Sequence, residues 1–361
     1  MTKFWKYIIE SMKLDDIRLE PLLDTLQIEK IDDSVYFTSP IYKNRISNSR
    51  LGLLNPKQGG SPEKFFAGFK QSFNPSFALG SAVHEQILQP DLFKLAEDTG
   101  KPTAKMGGMA DALYEIYCQR EITDEDIINA SNTIDYYKDK MTPDRIAEVR
   151  TKCEVYWKNR SQYEFDLDET REVRYLDYPM LEKAKSCIES LQSNELVTNL
   201  LHPKGLIEDP VSECEQAILL DVKATMPNGK EIILHLKAKL DNYTIDTESN
   251  IIKVNDVKTH GQMLNTFDDA KVKYHYNREI ALYMYLLSLI AKHKYGMDSP
   301  KKQANYLVVS TVPNFYSKVV PVSYVEIKQG FYELQKLLRY SAYLMCYKGY
   351  SFNEQPGKYQ F

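Results

Sequence analysis

Residues 236–261, LKAKLDNYTIDTESNIIKVNDVKTHG, decide how this chain is read. Two apolar runs flank a Glu248-Ser249-Asn250 turn signal, which is the pattern of two neighbouring strands. The first run closes on Asp241 and the second on Asp256-Val257-Lys258. A tight turn between them can bring both carboxylates to one edge of a sheet. Hard oxygen ligands at that range suit Mg²⁺ or Mn²⁺. Lys258, two residues beyond Asp256, projects from the same face by strand period. A metal held by such a pair acts as a Lewis acid on a phosphoryl oxygen and lowers the pKa of a bound water, while the lysine orients or deprotonates that water. Read alone, Asp-x-Lys is frequent by chance and more often describes a strand end with both charges in water.

Outward from this pair the strand pattern continues. CEQAILLDV (214–222) precedes it across a Pro227-Asn228-Gly229 turn, giving a three-stranded meander. A long helical pattern follows over 268–295, then strand-like ANYLVVST (304–311) and SKVVPVSYVEI (317–327), then an amphipathic helix at 328–347. This order indicates a mixed α/β or α+β core built late in the chain, with a helical region in front.

That front region is less regular. Residues 1–45 are read as an appended segment, and 46–361 as one domain with a helical insertion at about 94–210. Pro56, Gly59, Gly60, Pro62 and Pro75 break the stretch after 46 into short turns of helix. ALGSAVHEQILQP (78–90) runs helically to Pro90, and GKPTAKMGGMADA (100–112) is expected as a mobile loop. A helix starts at Thr142-Pro143, where the threonine caps and the proline takes the first helical position. It carries Ile146, Val149, Cys153 and Tyr156 on one face and is expected to end near Arg160. A second helix is expected over 181–201.

The formal charge of −4, from 46 basic and 50 acidic residues, excludes attachment to nucleic acid by bulk basicity but permits a local basic groove. Five dispersed cysteines form no CxxC pair and fit reduced thiols, so a cytoplasmic protein is expected. Charge at Glu10 and Lys13 interrupts the opening residues, and no signal peptide is expected. IALYMYLLSLIA (280–291) is too short to span a hydrocarbon core about 30 Å thick. No GxxxxGK[ST] loop occurs, so no ATP site is expected.

On the long helix Tyr276, Glu279 and Tyr283 recur on one stripe. On the first strand Glu213 and Glu215 share a face.

The ordered set resembles the PD-(D/E)XK nuclease superfamily, in its branch of RecE- and RecB-type exonucleases similar to the phage and prophage exodeoxyribonuclease VIII group. GSAVHEQIL resembles that branch's Gly-x-x-x-His helix, with Gly80 and His84. YNREIALYMYLL resembles its Gln-x-x-x-Tyr helix, with Tyr283 at the tyrosine and Glu279 in place of the glutamine. LKAKLD resembles its Arg-x-Asp approach, with Lys239 in place of the arginine. SNSRLGLLN, SPEKFFAGF and FALGSAVHEQILQPDLF resemble the opening of the RecE-like members. The likeness covers roughly 46–93 and 211–290.

The resemblance implies a restriction-endonuclease-like core and a Mg²⁺- or Mn²⁺-dependent deoxyribonuclease that resects double-stranded DNA ends in recombination or phage replication. His84, Asp241, Asp256 and the Val257 carbonyl would hold metal, with Glu215 favoured over Glu213 as an extra carboxylate. Lys258 would position the attacking water, and Glu279 and Tyr283 would support the site. Lys239, Lys271, Lys273 and Tyr276, with lysines of 94–105, would meet DNA. Some members carry an iron-sulfur cluster on four cysteines, but only Cys346 lies in the matching region, so no cluster is expected. The branch also implies a homo-oligomeric ring, a single-strand annealing partner, no membrane, and the host cytoplasm if the protein is phage-encoded. Two other readings stay open. One is a structure-specific or single-strand endonuclease, and the other a degenerate nuclease fold that binds DNA without cutting it.

Overall fold

The computed structural model describes residues 13–68, 75–137, 140–166, 171–202 and 210–352. Residues 1–12, on which the expectation of no signal peptide rests, lie outside them, as does 69–74 within the stretch of short turns. The described residues form two compact units, one within 1–80 and 187–361 and the other within 81–186. Among them no helix is long and apolar enough to cross a membrane.

The first unit begins with β1 (Arg18–Lys30) and the short helices α1 (Asp33–Thr38), α2 (Asn48–Gly52) and α3 (Pro62–Ala67). Helix α4 (Pro75–Leu88) leads into the second unit. That unit holds β2 (Phe93–Glu97), α5 (Ala104–Gln119), α6 (Asp124–Ile134), α7 (Pro143–Asp166) and β3 (Glu172–Leu176). Helix α8 (Tyr178–Gln192) leads back. Then come α9 (Glu195–Leu201), β4 (Pro210–Thr225), β5 (Glu231–Asp246), β6 (Ile251–His260), α10 (Phe267–Tyr274), α11 (Tyr276–Tyr295), β7 (Lys301–Ser310), β8 (Ser317–Pro321) and α12 (Tyr324–Lys348).

The first unit is built on a six-stranded sheet in the order β1-β4-β5-β6-β7-β8, antiparallel except for the parallel β6–β7 pair. This is the mixed α/β core the sequence indicates. Gly229 at φ 82° and Asn250 at φ 51° close the two expected turns, the left-handed backbone that glycine and asparagine tolerate best. Ile218, Leu220, Leu234, Leu240, Ile252 and Val254 bury against Ile280, Leu286 and Leu287 of α11 and Leu337 of α12. Each such side chain contributes about 1.5–3 kcal/mol by leaving water. Helix α12 crosses α11 at Gly330, where a Cβ would stand 2.0 Å from the Asn277 carbonyl oxygen.

Several expectations are corrected. Strand β1 pairs along β4 at the sheet edge, so part of the segment set apart as appended belongs to the core sheet. The expected loop at 100–112 is largely helix α5, with Met106, Met109, Ala110 and Leu113 buried on one face. Gly107 reads as a breaker, yet its Cβ position is 2.4 Å from the Pro102 carbonyl oxygen, so the glycine serves close packing there. The long helix over 268–295 is two helices, because His275 takes φ 56° between α10 and α11 and its Nδ1 lies 2.8 Å from Glu333 Oε1. The helix expected over 181–201 is likewise divided, with Asn194 capping α9 through the Leu196 amide. Helix α7 runs on past Arg160 to Asp166.

The second unit packs α5, α6 and α7 around Met109, Leu113, Ile127, Val149, Cys153 and Trp157. Trp157 Nε1 donates to the Ala110 carbonyl at 2.9 Å. Strands β2 and β3 pair in parallel beside this bundle.

Candidate active site

The two acids that open the reading do not end their strands. Strand β5 continues to Asp246 and β6 to His260. What ends is the ladder between them: pairing runs from Asp246 with Ile251 to Asn242 with Asn255 and stops. Beyond that rung β5 stays bonded to β4 and β6 to β7. Asp241 and Asp256 are the first residues past the fork. Asp241 Oδ2 accepts from the Val257 amide at 2.7 Å, filling with a carboxylate the place of a missing rung.

A buried amide row holds the last rung. Asn305 Nδ2 donates to Asn255 Oδ1 at 3.0 Å, and Asn255 Nδ2 donates to Asn242 Oδ1 at 2.8 Å. By strand period these asparagines face away from the acids.

Asp256 is fully buried. Lys258 Nζ lies 2.7 Å from its Oδ2 and 3.1 Å from Glu279 Oε2. Neither oxygen of Asp256 has a well-formed hydrogen bond among the described residues, and Oδ1 has no ion pair either. Burial raises its pKa well above the ordinary carboxylate range, opposed by Lys258 and reinforced by Asp241 and Glu279. Burial pushes Asp241 up to about 7, with Lys258 opposing and Glu215 adding to the rise. Burial works against the charge on Lys258, but Asp256, Glu279 and Asp241 outweigh it and hold the ammonium well above its usual pKa. In this state Lys258 is a positive charge and a hydrogen-bond donor, which favours orienting water over deprotonating it.

The α11 stripe faces the same centre. Tyr283 OH donates to Glu279 Oε1 at 3.2 Å, and Lys258 Nζ stands 5.1 Å from the centroid of Tyr276. The whole stripe is therefore more than core packing, since each member touches Lys258 or its partner. Glu279, which stands where the resemblance has glutamine, adds a second carboxylate to Lys258.

Glu215 faces Asp241 from β4. It sits at φ 56°, outside the ladder between the Cys214–Asn242 and Gln216–Leu240 pairs, a backbone cost of about 1–2 kcal/mol for a residue with a side chain. An oxygen of Glu215 and one of Asp241 lie within 4.8 Å of each other. The donors gathered here are hard oxygens, and an orphaned, buried carboxylate oxygen on Asp256 is what a divalent cation would satisfy. The residues present therefore fit Mg²⁺ or Mn²⁺.

The remaining expected residues are placed as follows. Gly80 on α4 approaches β6, its Cβ position 3.3 Å from Thr259 Oγ1. His84 is one helical turn further along, half-buried, at the start of the second unit. Lys239 is bound between Glu215 Oε2 at 2.7 Å and Asp33 Oδ1 at 2.5 Å. Lys271 is buried in ion pairs with Asp268 at 2.8 Å and Glu326 at 2.9 Å, which makes it a poor surface for phosphate, whereas Lys273 is exposed. In the second unit Lys101 pairs with Asp98 and Asp111, and Lys105 donates to the Asp135 carbonyl.

Sequence reasoning missed Asp33 and Tyr36, which reach this region from the segment read as appended. It also missed Arg278, buried with its Nε donating to Asn48 Oδ1 at 2.7 Å and thereby seating α11 against α2. The SNSRLGLLN stretch could have signalled this role, since Arg50 is also buried and bonds three carbonyls, of Lys43, Phe65 and Phe66.

No protein-family model matches the chain, and no curated protein matches it. A solved structure from Eubacterium rectale, of a protein provisionally described as an exonuclease, is similar over 90% of this chain and 88% of its own, at 10% identity and a TM-score of 0.44.

Proposed function

We propose that the protein is a divalent-metal-dependent deoxyribonuclease that degrades duplex DNA from its ends. The observation that carries this reading is the pair of acids at the fork of β5 and β6. Asp256 keeps an unsatisfied buried oxygen, and Lys258 is fixed beside it as an ammonium. A buried carboxylate oxygen without a partner calls for one, and a divalent ion supplies it.

Asp241 and Asp256, with the Val257 carbonyl and Glu215, would hold one or two Mg²⁺ or Mn²⁺ ions, and the resemblance implies His84 as a further ligand. When bound, the metal supplies Lewis-acid activation of the scissile phosphate and of water. Lys258 orients the attacking water and offsets charge that develops on the phosphoryl oxygens. Glu279, itself bonded by Tyr283, holds Lys258 in place, and Tyr276 offers its ring face to the ammonium. Lys273 supplies a phosphate contact. The resemblance to RecE-type exonucleases supports double-stranded ends as substrate, a ring-shaped assembly and a single-strand annealing partner.

The test uses linear and covalently closed circular duplexes of one sequence, with Mg²⁺, Mn²⁺ or EDTA. Metal-dependent loss of the linear form alone is the expected result. Nicking of the circle would replace this reading with an endonuclease. End binding without cleavage under either metal would make the fold a DNA-binding module.

A further inference from the structure

Lys237, Lys239 and Asp241 alternate along β5 and so share one face. Helix α1 lies on that face: Lys237 Nζ donates to the Tyr36 carbonyl at 2.7 Å, and Lys239 Nζ meets Asp33 Oδ1 at 2.5 Å. The same ammonium stands 2.7 Å from Glu215 Oε2, and Glu215 is the carboxylate that approaches Asp241. Lys239 thus bridges two acids. Paired with Glu215 alone, it would act as a resident cation and compete with a divalent ion for that carboxylate. Asp33 is the more exposed of the two acids, with 44% of its side chain accessible against 13% for Glu215. It therefore gives the ammonium a second partner nearer to solvent.

We propose that Asp33 is a positioning residue for the candidate metal centre: by drawing Lys239 toward α1, it releases the Glu215 carboxylate to a divalent cation. The proposal rests on the metal-dependent reading above. It makes α1, in a segment the sequence sets apart, part of the site's charge balance. It also assigns Lys239 a role inside the protein in place of a DNA contact.

The sign of each substitution follows. Asp33→Asn keeps the shape of the side chain but removes its charge, leaving Lys239 to Glu215, and divalent-ion binding weakens. Lys239→Met removes the competitor, and binding is retained or tightened. Because Asp33 acts only through Lys239, adding Asp33→Asn to Lys239→Met changes nothing further.

The measurement is calorimetric titration of the full chain with Mn²⁺ in the absence of DNA, with a thermal melt of each variant. Asp33→Asn should weaken binding about tenfold, the scale of an outer partner of a metal ligand. Asp33→Glu should restore it, and the double variant should match Lys239→Met within about twofold. Equal affinity of Asp33→Asn and wild type would overturn the proposal while leaving the metal site standing. An Asp33→Asn loss that persists with Lys239→Met would also overturn it, by showing that α1 acts through its packing. Absence of saturable Mn²⁺ binding to wild type would sink both this proposal and the metal-dependent reading beneath it.

Discussion

Val257 donates its backbone N–H to Asp241 Oδ2 across 2.7 Å, one residue past the last rung on β5 and two past it on β6. A side chain thus takes over the role of a strand. The bond fixes Asp241 against the backbone that joins Asp256 to Lys258, so the acids and the lysine are positioned as one unit. The same fork explains why burial can be severe here, since two strands diverge around the acids while their outer neighbours stay paired.

Among the described residues Lys258 is the ion-pair partner of the buried Asp256, and it also pairs with Glu279. Lys258→Met should lower cleavage about 100- to 1000-fold, the usual cost of removing a charge-stabilising donor. Without metal it should also destabilise the protein by about 3 kcal/mol, because two carboxylates lose their counter-ion. Mg²⁺ should recover most of that stability and none of the activity. Paired melts with EDTA and with Mg²⁺, beside the nuclease assay, check both halves. A variant as stable as wild type in EDTA would show that Lys258 does not carry the site's charge balance.

Asp241 gives the site a pH dependence. Its folded pKa, pushed to about 7 by burial, lies above the ordinary carboxylate value. Between about pH 4 and 7 the folded chain therefore holds a proton that the unfolded chain has lost. Its contribution to stability is present at low pH and lost as pH rises through 7. A metal ion requires the deprotonated form, so affinity should run the other way. Mn²⁺ binding should tighten by about tenfold or more per pH unit as pH rises toward 7, because Asp256, raised by burial as well, must also give up its proton. Calorimetry from pH 5.5 to 8 in buffers of different ionisation enthalpy would also count the released proton. A flat profile would contradict the assignment of Asp241 as a ligand.

How much of this was legible in the sequence depends on whether the signal was local. Strand alternation and the Pro227-Asn228-Gly229 turn are local, and the meander appears as read. Asp256 and Lys258 are two residues apart on one strand, so their shared face followed from period alone. The stripe Tyr276, Glu279 and Tyr283 was visible as a helical face, but its contact with Lys258 was not. Asp33 and Lys239 are 206 residues apart, and no pattern in either neighbourhood points to the other. The stretch 100–112 was misread as a loop because a glycine required by a close carbonyl, as Gly107 is, looks the same in sequence as one required by a loop. His275 was missed because a single left-handed residue interrupts a helix without disturbing its apolar period.

Gly330 shows how closely the two long helices approach. Any Cβ there would lie 2.0 Å from the Asn277 carbonyl oxygen and 2.9 Å from the Arg278 nitrogen. Gly330→Ala should therefore force α12 away from α11 and cost about 1–3 kcal/mol or more, despite the alanine's better helix propensity. Chemical denaturation would measure it, with a lower midpoint expected at nearly unchanged slope. Because α11 carries Glu279 and Tyr283, nuclease activity at a permissive temperature should fall as well. Gain of stability would mean that the helices can separate without strain.

Lys237 sits on the same face of β5 as Asp241 but should behave in the opposite sense to that carboxyl. Burial, with Arg50 and Arg45 adding to it, depresses its ammonium from the ordinary 10.5 to about 8. Its hydrogen bond to the Tyr36 carbonyl and its place 3.8 Å from the Tyr36 ring centroid do not fully offset the loss of water. Below pH 8 both folded and unfolded chains carry the charge, and the folded state bears the full desolvation cost. Between about 8 and 10.5 the unfolded chain binds the extra proton, so this group's contribution to stability rises with pH. The tyrosines whose pKa values are raised by burial pull the other way above pH 10, and the comparison must therefore be made against Lys237→Met. Relative to that variant, wild type should gain about 2 kcal/mol between pH 7.5 and 10, allowing for partial access of water to the ammonium. Urea unfolding of both proteins across that range measures the difference. A difference independent of pH would show that Lys237 keeps an ordinary pKa beneath α1.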